Sequence, residues 1–162
     1  MSDQFDYGAL SGLSSRGVPA SRGVLEKVAA VGVDIVQVSR VKEITERRGE
    51  RFLRRYFSKG EVDYSLNKCD PYPHLAVRFA AKEAAHKAFS SAGMGSLPLS
   101  SFEVAVEPSG VPRLFIADGA SSHLASGNVS VSLSHGGDYA VAVVAILGDV
   151  KQSKNNMSRQ LE

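Results

Sequence analysis

Two charged side chains lie on a segment that is otherwise predicted to be a largely buried helix. Residues 78–88 are rich in alanine and long straight-chain residues and contain no Gly or Pro, which favours a helix. At about 100° per residue, Glu83 and Lys87 project from nearly the same face. The small residues on that face, which leave room for a close approach, are Ala76, Ala80 and Ala84.

Burying a carboxylate and an ammonium is unfavourable unless each group is paired or bound. One interpretation is an ion pair between Glu83 and Lys87, which are four residues apart on the helix. The other is that Glu83 binds a hard cation while Lys87 contacts phosphates held by the same cation. The helix alone leaves both interpretations open.

A second candidate is the single acid in an apolar strand. The segment Val28–Val36 is almost entirely apolar, which predicts a buried β-strand, and Asp34 is its one charge. Ser39 is better placed than Asp34 to cap the helix that follows. We therefore interpret Asp34 as a site residue.

The next segment is basic. Between Arg40 and Phe57 there are seven basic and three acidic residues, with a helix break expected at Gly49. Such a local excess of positive charge steers acidic partners. Neither an aromatic platform nor a helix with base-reading residues accompanies it, so we favour an acidic protein surface over nucleic acid.

The remaining pattern completes one domain. A capping box at Ser58 and Glu61 predicts a helix to about Asn67, and the central helix should run from about His74 to a cap at Gly93. Gly136-Gly137-Asp138 predicts a tight hairpin turn beside His135. The other predicted elements are strands at Phe102–Glu107, Pro112–Ile116, Asn128–His135 and Tyr139–Leu147, and a short helix at Ala117–Ser126.

Composition bounds the class of protein. The chain has 162 residues, 43% hydrophobic and 22% charged, with a net charge of +2, as expected for one globular domain. It contains no apolar run long enough to span a membrane. Cys69 is the only cysteine, which points to a reducing compartment and, by default, to the cytoplasm. We expect a flexible leader at 1–26, a domain at 27–148 and a polar tail at 149–162.

Three separated blocks, in order, resemble the holo-acyl-carrier-protein synthase family, the short AcpS-type 4′-phosphopantetheinyl transferases. They are VGVDIV at 31–36 followed by Arg40, RFAAKEA at 78–84 followed by Lys87, and VSLSH at 131–135. The resemblance covers about residues 28–147. It implies an α+β fold, with an antiparallel sheet of about five strands packed on the long central helix.

The resemblance also implies a reaction. Enzymes of this family transfer the phosphopantetheine arm of coenzyme A to a serine of an acyl carrier protein and release 3′,5′-ADP. Asp34 and Glu83 match the family's Mg²⁺ ligands, and Lys87 matches the lysine that contacts the phosphates. His135 matches a histidine with a supporting role, and the base that deprotonates the serine is either Glu83 or water bound to the metal.

Family members are homotrimers with active sites between subunits, which implies further contacts. The residues that match coenzyme A-binding positions are Arg78, Lys87, Gly110, Pro112, Ser134 and His135. The candidates for docking the acidic carrier are Arg40, Arg47, Arg48 and Arg51. His86 is interpreted as a packing residue.

Two other functions were weighed against the transferase. A non-catalytic module that only binds acyl carrier proteins would have no use for two buried acids, and a basic nucleic-acid-binding domain would show no magnesium dependence. The sequence does not distinguish a fatty-acid carrier from a polyketide carrier.

Overall fold

The computed structural model describes residues 27–116 and 128–148. The predicted leader at 1–26, the predicted helix at Ala117–Ser126 and the predicted tail at 149–162 lie outside the described residues. The elements in chain order are β1 (Val28–Gln37), α1 (Val38–Arg48), α2 (Glu50–Tyr56), α3 (Lys59–Leu66), α4 (Tyr72–Ser91), a 3₁₀ turn (Leu99–Ser101), β2 (Phe102–Val106), β3 (Pro112–Ile116), β4 (Val129–Gly136) and β5 (Tyr139–Leu147).

The strands are all antiparallel, which confirms the predicted α+β class. They form two sheets, one of three strands in the order β1-β5-β4 and one formed by the hairpin β2-β3. The five predicted strands are thus present, divided between two sheets. Gly137 takes the left-handed conformation in the turn between β4 and β5, as the hairpin prediction requires.

Helix α4 packs against the three-stranded sheet through its alanines. Ala80, Ala84 and Ala88 are fully buried, and β1 approaches the helix so closely that a Cβ atom built on Gly32 lies 1.9 Å from the Ala84 carbonyl oxygen. Only glycine fits at position 32. The room expected beside the helical alanines is therefore occupied by the backbone of β1, whose next inward residue is Asp34.

The prediction of a buried strand holds for only one face of β1. Its residues alternate between the helix side and an open side, and Val31, Val33 and Ile35 on the open side are 54%, 54% and 64% exposed. Because the sheet register pairs Val33 with Val143 of β5, and Val143 with Ser132 of β4, this open face continues across all three strands.

The basic segment folds as two helices broken at Gly49, as predicted, but its first helix begins without a side-chain cap of its own. The expected N-cap Ser39 instead donates its backbone N–H and its hydroxyl to the Asp138 carboxylate, at 2.8 and 2.7 Å. The Ser39 hydroxyl and then the Ser39 amide hold the pKa of Asp138 below its usual value. A residue of the β4–β5 turn thus caps α1.

A buried ion pair joins α3, α4 and β2. Glu61 completes the predicted capping box with Ser58, and its carboxylate also accepts from the Val104 amide at 2.9 Å. Lys82 lies 2.8 Å from that carboxylate and donates to the Phe102 carbonyl. Burial lowers the pKa of Lys82, and Glu61 opposes that shift. The pair fixes the second sheet against the central helix.

No helix among the described residues is both long and apolar enough to cross a membrane.

The C-terminal end of α4 is closed by Gly93 in the left-handed conformation. The Met94 amide donates to the Phe89 carbonyl, and the Gly93 amide donates to the Ser90 carbonyl. This double hydrogen bond is the arrangement expected of a glycine cap.

Candidate functional site

The strand β1 and the helix α4 bring the predicted site residues together. Lys87 Nζ donates to Asp34 Oδ1 at 2.8 Å and to the Val33 carbonyl at 3.1 Å. Asp34 points toward α4 because it shares a strand face with Gly32, which lies against the helix. In the described part of the chain Lys87 thus pairs with the strand acid, and the alternative pair between Glu83 and Lys87 is not formed.

Asp34 and Glu83 line one cleft of about 520 Å³, and Arg40 lines it as well. The cleft lies between β1, the first turns of α1 and the middle of α4. Its apolar wall is formed mainly by Val36, Val41, Ile44, Phe52 and Phe79. The two acids therefore face a space that is large enough for part of a ligand and that continues toward the basic helices.

The donor set suits a hard cation that completes its coordination with other oxygens. Within residues 27–116 and 128–148 no three His, Cys, Asp or Glu side chains cluster as a metal cage. Two carboxylates sharing a cleft are nevertheless the usual protein contribution to a Mg²⁺ site, since Mg²⁺ keeps waters and takes phosphate oxygens from its substrate. Asp34 and Glu83 fit that chemistry.

His135 and Arg78 belong to a different group of side chains, at the other end of α4. The rings of His135 and His74 meet edge to face with centroids 5.6 Å apart, and the Tyr64 ring meets His74 edge to face with centroids 6.0 Å apart. Burial lowers the pKa of His74, with further lowering by His135 and Arg78. This cluster presents positive charge and ring nitrogens, which suits an anion.

Arg78 is deeply inserted in that cluster. Only 2% of it is exposed, its guanidinium lies 4.1 Å from the Tyr64 ring centroid, and Nη1 donates to the His74 carbonyl at 3.0 Å. Burial lowers its pKa, and its Nε is buried without a hydrogen-bond partner among the described residues. A buried, unpartnered donor in a cationic cluster is consistent with a missing anionic partner.

The predicted site is thus divided within one chain. His74 and Glu83 are nine residues apart, which corresponds to about 13 Å along α4 and to nearly opposite sides of the helix. The same separation holds for Arg78 and Lys87. The structure places Asp34, Glu83, Lys87 and Arg40 on one side, and Arg78 and His135 on the other.

The other predicted coenzyme A contacts lie outside the cleft lined by Asp34 and Glu83. Gly110 takes a left-handed conformation in the exposed turn between β2 and β3, and Pro112 begins β3. Ser134 is exposed on the open face of the three-stranded sheet, next to His135 but pointing to the opposite face. Nothing within the described chain joins these three residues to Asp34.

Three of the four predicted docking arginines line a second cavity of about 450 Å³ on α1 and α2. They are Arg47, Arg48 and Arg51, and Arg55 joins them over a floor of Phe52 and Tyr56. Arg40 instead faces the cleft with the two acids. Arg55 was not among the predicted docking residues, although it lies one helical turn after Arg51. His74, one turn before Arg78, was not predicted as a site residue either.

Comparison with known proteins finds similarity over most of the chain. Residues 30–144 match the family model of the 4′-phosphopantetheinyl transferase superfamily. A holo-[acyl-carrier-protein] synthase of Chloroherpeton thalassium is 42% identical over 119 residues, covering 74% of this chain and 98% of that protein. One of Thermodesulfovibrio yellowstonii is 41% identical, with the same coverage of both chains. A solved structure described as a Chronobacterium ammoniagenes ACPS-CoA complex is 29% identical, with a TM-score of 0.64 over 74% of this chain and 97% of that one.

Proposed function

The chain belongs to the 4′-phosphopantetheinyl transferase superfamily, and on that basis we propose that it transfers the 4′-phosphopantetheine group of coenzyme A to a serine of an apo acyl carrier protein. The observation that carries the proposal is the cleft shared by Asp34, Glu83 and Arg40, with Lys87 held on Asp34 at 2.8 Å. It combines two carboxylates suited to a metal ion, a lysine ammonium suited to phosphate, and an opening toward a basic surface.

Asp34 and Glu83 are the residues that would hold Mg²⁺. The bound ion would supply Lewis acidity and charge neutralisation at the pyrophosphate of coenzyme A. Glu83 makes no ion pair with a described residue, so its carboxylate is available. The ammonium of Lys87 orients the Asp34 carboxylate through a hydrogen bond of 2.8 Å.

Lys87 is placed to meet the phosphate oxygens. Its side chain is 51% exposed even while its Nζ contacts Asp34, so the ammonium can turn to the substrate without crossing packed residues. In the reaction the carrier serine oxygen bonds to the phosphorus next to the pantetheine arm, and the bond from that phosphorus to 3′,5′-ADP breaks. Lys87 stabilises the negative charge that develops on the leaving phosphate.

The proton of the serine needs an acceptor in the same cleft. Asp34 already accepts a hydrogen bond from Lys87, so that carboxylate is engaged by the lysine. We assign Glu83 as the acceptor of the serine proton. It lines the cleft together with Arg40, on the side where the carrier arrives. Holding the serine beside the phosphorus contributes much of the rate by proximity.

We assign the cluster of His74, Arg78 and His135 a role in contacting the coenzyme A molecule that a neighbouring subunit binds. Along α4, His74 lies about 13 Å from Glu83 and Arg78 about 8 Å from it, both on sides of the helix that face away from Glu83. The open face around Val31, Val33 and Ile35 is an apolar surface of the kind that marks protein contacts. Both features support a homotrimer with active sites between subunits, to which Gly110, Pro112 and Ser134 would contribute.

We assign α1 and α2 as the surface on which the acidic carrier docks. Arg47, Arg48, Arg51 and Arg55 line one cavity, so their charges add over a small area that an acidic helix of a carrier could cover. We place the reaction in the cytoplasm and in fatty acid synthesis. The single cysteine, Cys69, is free and exposed, as expected in a reducing compartment.

The test is intact-mass analysis of an apo acyl carrier protein incubated with this protein, coenzyme A and Mg²⁺. The wild type should add one phosphopantetheine group per carrier, while Glu83→Ala and an EDTA-treated sample should add none. Asp63→Ala is the matched control, because Asp63 is an exposed acid whose one ion pair among the described residues is with Lys59.

The outcomes separate the competing functions. Retained carrier binding with no mass gain on any carrier would replace the transferase with a non-catalytic carrier-binding module. A mass gain with Glu83→Ala equal to that of the wild type would keep the reaction and remove Glu83 from it. A monomer on light scattering would contradict the shared active site.

A further inference from the structure

A third cavity lies beside Glu83, on the side toward the C-terminal end of α4. It has a volume of about 430 Å³, and its walls are Glu83, His86, Ser96, Leu97, Pro98 and Leu99. Glu83 is the residue that it shares with the cleft containing Asp34. Among its described walls there is one carboxylate and no lysine or arginine, so it suits an uncharged part of a ligand better than a phosphate.

One hydrogen bond defines the wall of this cavity. His86 Nδ1 lies 2.8 Å from the Leu97 carbonyl oxygen. A carbonyl only accepts, so Nδ1 carries the proton and donates it. The bond connects α4 to the segment that follows it, in which Gly93 and Gly95 both take left-handed conformations and meet no neighbouring atoms at their Cβ positions. His86 is therefore more than the packing residue expected from the sequence.

The cleft containing Asp34 and the third cavity occupy opposite sides of Glu83 along the helix. Phe79 lies one turn before Glu83 and lines the cleft with Arg40. His86 lies about one turn after Glu83 and lines the third cavity. In phosphoryl transfer the attacking and leaving oxygens are roughly in line on opposite sides of phosphorus. If the carrier serine enters from the side of Arg40, the leaving 3′,5′-ADP lies toward His86.

We propose that His86 is a positioning residue for the leaving-group half of coenzyme A: by holding the Leu97 carbonyl it sets the Ser96–Leu99 wall that receives the uncharged adenine base. The proposal deepens the proposed function and rests on it for the direction of attack. Its consequence is selective. His86 affects binding of the donor and of 3′,5′-ADP, and leaves binding of the carrier unchanged.

Three substitutions of His86 distinguish the effect of the hydrogen bond from the effect of the size of the ring. His86→Ala removes both, His86→Phe keeps a ring without the donor, and His86→Asn places an amide nitrogen near the position of Nδ1. Ser90→Ala, an exposed residue one turn further along α4, is the matched control. The measurements are calorimetric binding of 3′,5′-ADP with Mg²⁺, KM for coenzyme A, KM for the carrier and the melting temperature.

Loss of this one hydrogen bond should raise the Kd for 3′,5′-ADP and the KM for coenzyme A about three- to tenfold in His86→Ala and His86→Phe. The KM for the carrier should not change, and His86→Asn should recover most of the affinity. Equal affinity for 3′,5′-ADP in all four proteins, or a change in carrier KM alone, overturns the proposal. So does a His86→Asn protein as weak as His86→Phe.

The binding measurement also keeps the two proposals distinguishable. A wild type that binds 3′,5′-ADP but modifies no carrier contradicts the proposed transfer, while the comparison of the His86 variants still tests the wall. A wild type that modifies a carrier while the variants bind 3′,5′-ADP normally contradicts only the role of His86. A wild type that does not bind 3′,5′-ADP overturns the role of His86 directly.

Discussion

Lys87 Nζ lies 2.8 Å from Asp34 Oδ1, which joins two residues 53 positions apart in the sequence. The bond crosses the interface at which β1 packs on α4, so the same contact that builds the core also assembles the site. Glu83 lies one turn before Lys87 on the helix and lines the cleft with Asp34. The two acids and the lysine are therefore brought together before any ligand binds.

Lys87→Ala should lower the rate of phosphopantetheine transfer by about 10²-fold, because a charge that stabilises the leaving phosphate is lost. Folding should be little affected, since the Lys87 side chain is half exposed. The rate is measured by intact-mass time courses. Lys59→Ala, an exposed lysine of α3 paired with Asp63, is the control, and a rate for Lys87→Ala equal to that of the control would exclude the assigned role.

Gly32→Ala should destabilise the protein by about 3 kcal/mol, because its Cβ would overlap the Ala84 carbonyl and force β1 away from α4. The same displacement should separate Asp34 from Lys87 and reduce transfer. The free energy of unfolding is measured with urea. Gly136→Ala is the matched control, since a Cβ there meets no atom within 4 Å. Equal stability of the two variants would show that β1 can move without penalty.

Lys82→Met should destabilise the protein by about 3–5 kcal/mol, because it leaves the carboxylate of Glu61 buried without its counter-charge. Chemical denaturation measures the change. Lys59→Met is the control, and its unfolding free energy should stay near that of the wild type because Lys59 is exposed to solvent. Should Lys82→Met unfold like the control, the buried pair is not what fixes β2 against α4.

Asp138→Ala should remove part of the acid sensitivity of the fold. The Ser39 hydroxyl and amide hold the folded-state pKa of Asp138 below its unfolded value near 3.8. The stability that Asp138 provides is therefore present above pH 3.8 and is lost as the pH falls through the lower folded-state pKa.

Melting temperatures of wild type and Asp138→Ala should accordingly differ at neutral pH and converge in strong acid. Ser39→Ala keeps the hydrogen bond from its backbone N–H to Asp138 and loses the one from the hydroxyl. Its melting temperatures should therefore lie between those of the wild type and Asp138→Ala. A constant difference between wild type and Asp138→Ala at every pH would refute the linkage.

Arg48→Glu should slow association with an acidic carrier about tenfold at low ionic strength, and added salt should reduce the difference. Stopped-flow fluorescence at several salt concentrations measures the association rate. Arg54→Ala is the comparison, because Arg54 pairs with Glu50 at 2.8 Å and does not line the arginine cavity. If both variants slow association equally, the cavity has no special part in docking.

Local features of this fold were predictable from the sequence because their causes lie within a few residues. The capping box at Ser58 and Glu61 and the glycine cap at Gly93 formed where the residue types indicated. The break at Gly49 and the hairpin turn at Gly137 also agree. Asp34, Glu83 and Lys87 were recognisable as charges on apolar elements, and the three blocks that contain them carried the family resemblance.

Wrong or missing predictions involve contacts between distant parts of the chain. The cap on α1 comes from Asp138, 99 residues from Ser39, and the partner of Lys82 is on another helix. The exposure of Val31 and Ile35 depends on what covers the second face of the sheet. None of these can be derived from spacing, because periodicity gives the direction of a side chain and not its neighbour.

The sequence by itself determined the helix α4, the class of the fold and the identity of the acids and the lysine. Only the tertiary structure decided that Lys87 pairs with Asp34 rather than with Glu83, and that His135 and Arg78 stand on the opposite side of α4. The physical reason is the close approach at Gly32, which brings the backbone of β1 against Ala84 and places Asp34 beside Lys87. Such an approach depends on the path of the whole chain.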